Sequence, residues 1–274
     1  PMDPRPIGVF DSGIGGLMAV RMLRQLLPGE PLLYLGDTAR MPYGDRPAGE
    51  IDRLTGELTG WLLRQNVKAL IAACGTISCN AGETLQQLPV PCFDVVTAAA
   101  EAAAQATRNG KVGLAATSAT IRSGRFTEEI ERRTGQAVTA VPCPLLAPMI
   151  EHGAGPDDPA LAAAVAEYCQ PLLQSGVDTV VLGCTHYPLI AELFTRILGP
   201  EVTLIDCAGE AAKAAAEAMK EQHLLAEGND PAVTEYRFTA LPPQAARQTA
   251  RRMLGEDFPP RLLPLEKLTA FSTE

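Results

Sequence analysis

Short apolar runs alternate with longer amphipathic stretches over most of the chain. Ile7–Phe10, Leu32–Leu35, Ala69–Ala73, Cys92–Val96, Val112–Ala115, Val138–Val141, Thr179–Leu182 and Val202–Ile205 are largely apolar and lack period-two alternation. A strand wetted on one side alternates apolar and polar residues, whereas one covered on both faces does not. These eight segments therefore predict buried strands. Helical periodicity fills the gaps at Gly16–Leu27, Gly49–Asn66, Ala98–Thr107, Ile121–Arg133, Pro159–Ser175, Pro188–Leu198 and Glu210–Leu225. Strand–helix alternation of this kind predicts an α/β fold of parallel sheets wound with helices. From about Gly228 the pattern loosens. Val233–Thr239 predicts an edge strand, Pro243–Leu254 a helix, and Pro259–Leu268 carries three prolines.

The chain also repeats itself. NVKALIAACGT (Asn66–Thr76) is similar to GVDTVVLGCTH (Gly176–His186), with a Val seven residues before a Cys in both. IGVFDSG (Ile7–Gly13) is similar to VGLAATS (Val112–Ser118), and an Asp follows each cysteine, Asp94 after Cys74 and Asp206 after Cys184. Two similar lobes follow, each with a cysteine at the carboxyl end of a strand. Ligands of open α/β sheets bind at those ends. Two lobes facing one another would set the cysteines across one cleft.

Composition narrows the chemistry. The 274 residues suit two lobes of ordinary size. A formal net charge of −9 and the lack of any Lys/Arg cluster argue against a nucleic-acid or membrane surface. No apolar run reaches membrane-spanning length, and Pro1–Phe10 lacks a signal-peptide core, so a cytoplasmic protein is expected. There are seven cysteines and no C-x-x-C pair, which argues against a disulfide framework and a zinc site. Cys79, Cys92, Cys143, Cys169 and Cys207 read as small buried hydrophobes. His152, His186 and His223 lack metal-ligand spacing.

Several segments at predicted strand ends carry chemistry. Asp11-Ser12-Gly13-Ile14-Gly15-Gly16 joins the first strand to a helix and suits an anion at free backbone N–H groups, or simply a tight turn. Gly36-Asp37 and Pro42-Tyr43-Gly44 follow the second strand, where Tyr43 can close over a ligand or sit in a plain surface turn. Cys74-Gly75-Thr76 and Cys184-Thr185-His186-Tyr187-Pro188 each precede a helix start, which favours a thiolate, and His186 can exchange a proton beside the second thiol. Thr117, Ser118 and Thr120 offer hydroxyls to a carboxylate or cap a helix.

The strings IGVFDSGIGGL, LYLGDTARMPYG, AACGT, VGLAATSATIRSGRF, CPLLAPMIEHG, VVLGCTHYPLI and LIDCAGEAA, in this order, resemble the glutamate racemase family within the aspartate/glutamate racemase superfamily. The resemblance implies two α/β lobes, 1–97 plus 207–274 and 98–206, with the active site in the cleft between them. It implies cofactor-independent, metal-free interconversion of L- and D-glutamate, supplying D-glutamate for peptidoglycan and cell shape, by a cytoplasmic homodimer. Cys74 and Cys184 match the two acid/base thiols, the first acting on the D-enantiomer and the second on the L-enantiomer. Asp11 and His186 match residues that tune them, with Asp37 and Glu151 as helpers. Ser12, Pro42, Tyr43 and Gly44 match positions around the side-chain carboxylate. Gly75, Thr76, Thr117, Thr120 and Thr185 match positions around the α-carboxylate and amine. One departure stands out: the family commonly has Cys-Asn-Thr at the first thiol, and this chain has Cys74-Gly75-Thr76.

Other functions are open to the same residues. One is a sibling racemase or isomerase acting on aspartate or another small acid. A second is a non-catalytic amino-acid-binding regulator, although binding alone needs neither thiol. A third is a Cys-His hydrolase, which needs only one of them.

Overall fold

A computed structural model describes residues 3–226 and 231–269. The strands are β1 (Ile7–Asp11), β2 (Leu32–Gly36), β3 (Ala69–Ala72), β4 (Cys92–Asp94), β5 (Val112–Ala116), β6 (Thr139–Pro142), β7 (Thr179–Leu182), β8 (Thr203–Asp206), β9 (Thr234–Phe238) and β10 (Pro260–Leu262). The helices are α1 (Leu17–Leu26), α2 (Ala48–Arg64), α3 (Gly75–Asn80), α4 (Gly82–Gln86), α5 (Val95–Ala106), α6 (Ser118–Ser123), α7 (Arg125–Thr134), α8 (Leu146–Glu151), α9 (Pro159–Ser175), α10 (Ala191–Leu198), α11 (Cys207–Glu221), α12 (Gln244–Leu254) and α13 (Leu265–Thr269).

Two parallel sheets result. The first runs β10-β9-β2-β1-β3-β4 and the second β6-β5-β7-β8. In the first, Ile7 of β1 lies beside Leu32 of β2 and Ala69 of β3; in the second, Val112 of β5 lies beside Thr179 of β7. Every residue of β1, β2, β3, β5 and β7 is buried, which is why these strands read as unbroken apolar runs. Leu54, Leu58 and Leu62 of α2 cover one face of the first sheet, and Leu17, Val20 and Leu23 of α1 cover the other. Leu161, Val165 and Leu172 of α9 cover the outer face of the second sheet.

One core is shared by both sheets. α11 packs between α1 and α5, and α5 packs on α7. Ala99, Ala100 and Ala103 meet a helix carrying Ala208, Ala211, Ala212 and Ala215, so side chains this small bring the axes close. The chain crosses from one sheet to the other through α5 and returns through α11. An aspartate caps each crossing helix. Asp94 accepts from Val96 N and Thr97 N at 2.8 and 3.1 Å, and Asp206 accepts from Ala208 N and Gly209 N at 3.1 Å each. The aspartates of the internal repeat are thus caps at the two crossovers. Asp206→Ala is expected to lower the unfolding free energy by about 1 kcal/mol, and Asp206→Asn to cost less because it keeps an acceptor. Urea unfolding of the two variants checks this.

Several boundaries differ from the sequence reading. The expected helix Ile121–Arg133 is two helices, α6 and α7, broken at Gly124 with φ +71°. The run Cys92–Val96 is strand only to Asp94, where the cap starts α5. Pro188 lies in a 3-10 turn (Tyr187–Ile190) ahead of α10. β9 was expected at an edge, but it lies between β2 and β10; the edge is β10, drawn from the proline-rich tail. The sequence pattern gave no sign of α8, a six-residue helix. Gly228, where the pattern loosens, lies outside the described residues.

Candidate active site

The strand ends β1, β3, β5 and β7 point toward one cavity of about 280 Å³. Cys74 and Cys184 both line it, although each is mostly buried. Their strands are β3 and β7, one from each sheet. From the first sheet come Ser12, Pro42, Tyr43, Gly44, Gly75 and Thr76; from the second come Thr117, Glu151, Thr185 and His186. The lining contains no lysine or arginine. The groups in the lining that can meet an anion are hydroxyls, backbone N–H groups and the imidazole ring. Among the described residues no group of three or more His, Cys, Asp or Glu could hold a metal ion, and no helix is long and apolar enough to cross a membrane.

Each thiol has its own surroundings. Cys184 Sγ lies 3.7 Å from His186 Nδ1, and His186 Nε2 lies 2.7 Å from Glu151 Oε1. Burial disfavours the imidazolium, but the Glu151 carboxylate and the Cys184 sulfur outweigh it, so His186 titrates well above the usual histidine range. Cys74 Sγ lies 3.6 Å from Ser12 Oγ, with no cationic partner of this kind. Burial pushes its thiol up to about 12, and the Asp11 charge pushes the same way. This corrects the expectation that the helix start would favour a thiolate at Cys74. The Ile77 N–H does act in that direction, but desolvation is larger. A charge on Cys184 also raises Cys74, as two sulfurs facing one space require.

The chain of His186 and Glu151 gives a pH prediction. A histidine raised on folding contributes stability that is full below its unfolded value, about 6.5, and lost as the pH climbs through its folded value. Glu151→Gln removes a charge that holds the proton. The stability lost in this variant should therefore be greatest below about pH 6.5 and shrink at higher pH. Thermal melts of both proteins over a pH series read the difference.

Three expected site residues do not line the cavity. Asp11 is buried behind it, and its Oδ2 accepts from Gly13 N at 2.8 Å. Burial raises its carboxyl, opposed by the nearby His186. Thr120 forms a second layer: Thr76 Oγ1 lies 2.9 Å from Thr117 Oγ1, which donates to Thr120 Oγ1 at 3.1 Å. Asp37 departs most from expectation. Its Oδ2 accepts from Arg40 Nε at 2.7 Å and from the Tyr43 hydroxyl, and its Oδ1 accepts from Thr239 at 2.7 Å. Asp37 thus holds Tyr43 in the cavity wall and does not touch the thiols; the Tyr43 hydroxyl is spent on it.

Other residues escaped the sequence reading. Met41, joined to Pro42 by a cis peptide bond, forms part of the rim. Pro144, Ala147, Pro148 and His152 form the opposite rim around α8. The string CPLLAPMIEHG contains these last four, but no strand end flagged them. Tyr34, on β2, donates to Gly13 O at 2.7 Å and supports the first loop from beneath. Gly15 is needed for space: a Cβ there would sit 1.9 Å from Thr185 Oγ1 of the other sheet's loop.

Known proteins are similar to this chain in sequence and in fold. A glutamate racemase of Syntrophus aciditrophicus is 42% identical over 257 residues, covering 93% of this chain and 94% of its own. The structure of glutamate racemase from Francisella tularensis in complex with D-glutamate superposes with a TM-score of 0.89 at 34% identity, covering 96% of this chain and 99% of that one. The Thermus thermophilus glutamate racemase in complex with β-chloro-D-alanine gives 0.86 at 39% identity, covering 97% and 99%. The sequence profile of Asp/Glu/Hydantoin racemases matches residues 18–215. With two cysteine strand ends meeting at one cavity and this breadth of similarity, the chain belongs to the Asp/Glu/Hydantoin racemase family.

Proposed function

We propose that the protein is a glutamate racemase that inverts the α-carbon with two thiols and no cofactor, supplying D-glutamate for peptidoglycan. One observation carries the reading: Cys74 and Cys184 line the same cavity from different sheets. The relatives named glutamate racemase, one with D-glutamate bound, favour glutamate over aspartate as the substrate. We propose in addition that the lobes are 1–97 plus 207–274 and 98–206, and that the protein acts as a cytoplasmic homodimer.

The difficulty of the reaction is a weakly acidic Cα–H beside a carboxylate. A thiolate on one side takes the proton, and the electron pair moves into the α-carboxylate. A thiol on the other side returns a proton to the opposite face of Cα. The carbon is inverted, and the sulfurs have exchanged protonation states. With burial favouring the protonated Cys74 thiol, Cys184 beside the His186–Glu151 pair acts first as base. By the family resemblance this resting state accepts L-glutamate, and the reverse direction needs the swapped state. Hydroxyls of Thr76 and Thr117 stabilise the charge gathering on the α-carboxylate, and Ser12 with the Tyr43–Gly44 backbone holds the side-chain carboxylate.

The test is α-proton exchange in heavy water on each enantiomer of glutamate and aspartate, with no cofactor added. Inversion with deuterium uptake on glutamate is expected. Binding of glutamate without exchange would mark a regulator, and faster turnover of aspartate a sibling enzyme.

A further inference from the structure

We propose that Arg46 is a positioning residue for the Pro42–Tyr43–Gly44 segment, and that it sets how tightly the site holds the distal carboxylate of glutamate. The proposal rests on the racemase reading and deepens it.

The cavity lining has no lysine or arginine, so recognition of that carboxylate falls to hydroxyls and backbone donors. Pro42 has no N–H, and the Tyr43 hydroxyl is bound to Asp37. The segment can therefore offer only the N–H groups of Tyr43 and Gly44. A backbone N–H cannot be re-aimed by a change of rotamer; it points where the chain points. Whatever fixes the chain here fixes the subsite.

Arg46 does not line the cavity. Its own N–H donates to Tyr43 O at 3.1 Å, closing a turn that brings the side chain back over the segment. The guanidinium then uses each of its nitrogens. Nε donates to Pro42 O at 3.1 Å, Nη2 to Arg40 O, and Nη1 to the Glu50 carboxylate in the first turn of α2. The two carbonyls flank Met41 of the rim. The guanidinium carbon also lies 5.8 Å from the centre of the Tyr43 ring, within cation–π range. α2 is the beam for these bonds. Glu57, two turns after Glu50 and so on the same face, takes the side chain of Arg40. At the other end of the segment, Gly44 O accepts from Ala119 N of α6 at 3.0 Å. A planar fork with fixed donor directions suits this task, and a lysine ammonium reaches the same acceptors only in part.

The distal carboxylate is remote from the reacting bond. Loosening its receptor weakens the hold on substrate and transition state alike, which raises KM and leaves kcat near its starting value. A bare positive charge at position 46 that drew in an anionic substrate would raise KM on removal too. Glu50 separates the two roles. Taking its negative charge away should lower KM if Arg46 acts by attraction, and raise KM if Arg46 acts by holding the segment, because the guanidinium then loses its anchor.

The experiment uses the full chain and its Arg46→Met, Arg46→Lys and Glu50→Ala variants. Initial rates on L-glutamate are followed by chiral chromatography, beside thermal melts. Both side chains are half-buried and neither belongs to a core cluster, and Arg46→Lys keeps the charge should Arg46→Met fail to melt cooperatively. KM is expected to rise on the order of tenfold in Arg46→Met, the loss of a preorganised receptor. Over the same change kcat should stay within about threefold. Arg46→Lys should fall between Arg46→Met and the wild type, and Glu50→Ala should also raise KM. A KM unchanged in Arg46→Met, with or without a fall in kcat, overturns the role of Arg46, since a merely structural loss of active molecules lowers kcat alone. A rise in Arg46→Met with a fall in Glu50→Ala overturns it in favour of attraction by charge. A wild type that does not racemize glutamate overturns the racemase reading, and this proposal with it.

Discussion

Cys74→Ser and Cys184→Ser are each expected to slow inversion of glutamate by about 10²–10⁴-fold in both directions, the range general acid–base groups supply. Both directions fall together because, in the proposed mechanism, the same two sulfurs serve each, with roles exchanged. Serine keeps the size of the side chain but is far too weak an acid to hold a useful fraction of anion at neutral pH. The residual exchange should be one-sided. With Cys184 replaced, Cys74 still faces one side of the carbon, and by the family resemblance only D-glutamate should take up deuterium with its configuration kept. With Cys74 replaced, L-glutamate should do so. The two residues are not equivalent in their surroundings, since only Cys184 has the imidazole at 3.7 Å, and burial favours the protonated form of Cys74. One-sided exchange should accordingly be faster in Cys74→Ser. Wild-type rates in both serine variants would exclude the two-thiol mechanism; loss in only one would point to a Cys-His nucleophile.

Much of this was legible in the chain because α/β architecture writes itself as apolar runs ending in small residues. The strands carrying Cys74 and Cys184 are buried on both faces, so their ends are marked without knowledge of partners. The repeat was also legible, but one part of its meaning was not. Asp94 and Asp206 recur because each caps a helix at a crossover, a local need that resembles a site motif in sequence. α8 was invisible for the opposite reason. A six-residue helix has no room for periodicity, yet it carries Glu151 to 2.7 Å from His186. Asp37 follows a strand end, as site residues do, but its partners Arg40, Tyr43 and Thr239 include one about two hundred positions away, beyond any local signal. The state of Cys74 depends on a balance between a helix start and desolvation. Sequence reveals the first, and only the packed structure reveals the second.

A second large effect lies away from the cavity. Lys68 precedes β3 at the end opposite Cys74, and its Nζ is buried 2.5 Å from Glu30 Oε2. The same ammonium donates to Asp3 O at 2.7 Å and Leu224 O at 2.8 Å, while Glu30 Oε1 accepts from Ala226 N at 2.5 Å. One ion pair thus fastens the start of the chain and the exit from α11 to the first sheet. Lys68→Met leaves a buried carboxylate without its counter-charge and is expected to cost about 3–5 kcal/mol of stability. Removing both charges, as Lys68→Met with Glu30→Leu, should cost less than the single change, because a buried pair offsets little more than its own desolvation. It should not recover fully, since three backbone groups lose their partner. Denaturant unfolding of the three proteins measures the order. Turnover per folded molecule should match the wild type in all of them, which separates this clamp from the thiols: it holds the first sheet together from the end opposite Cys74, while Cys184 follows a strand of the second sheet.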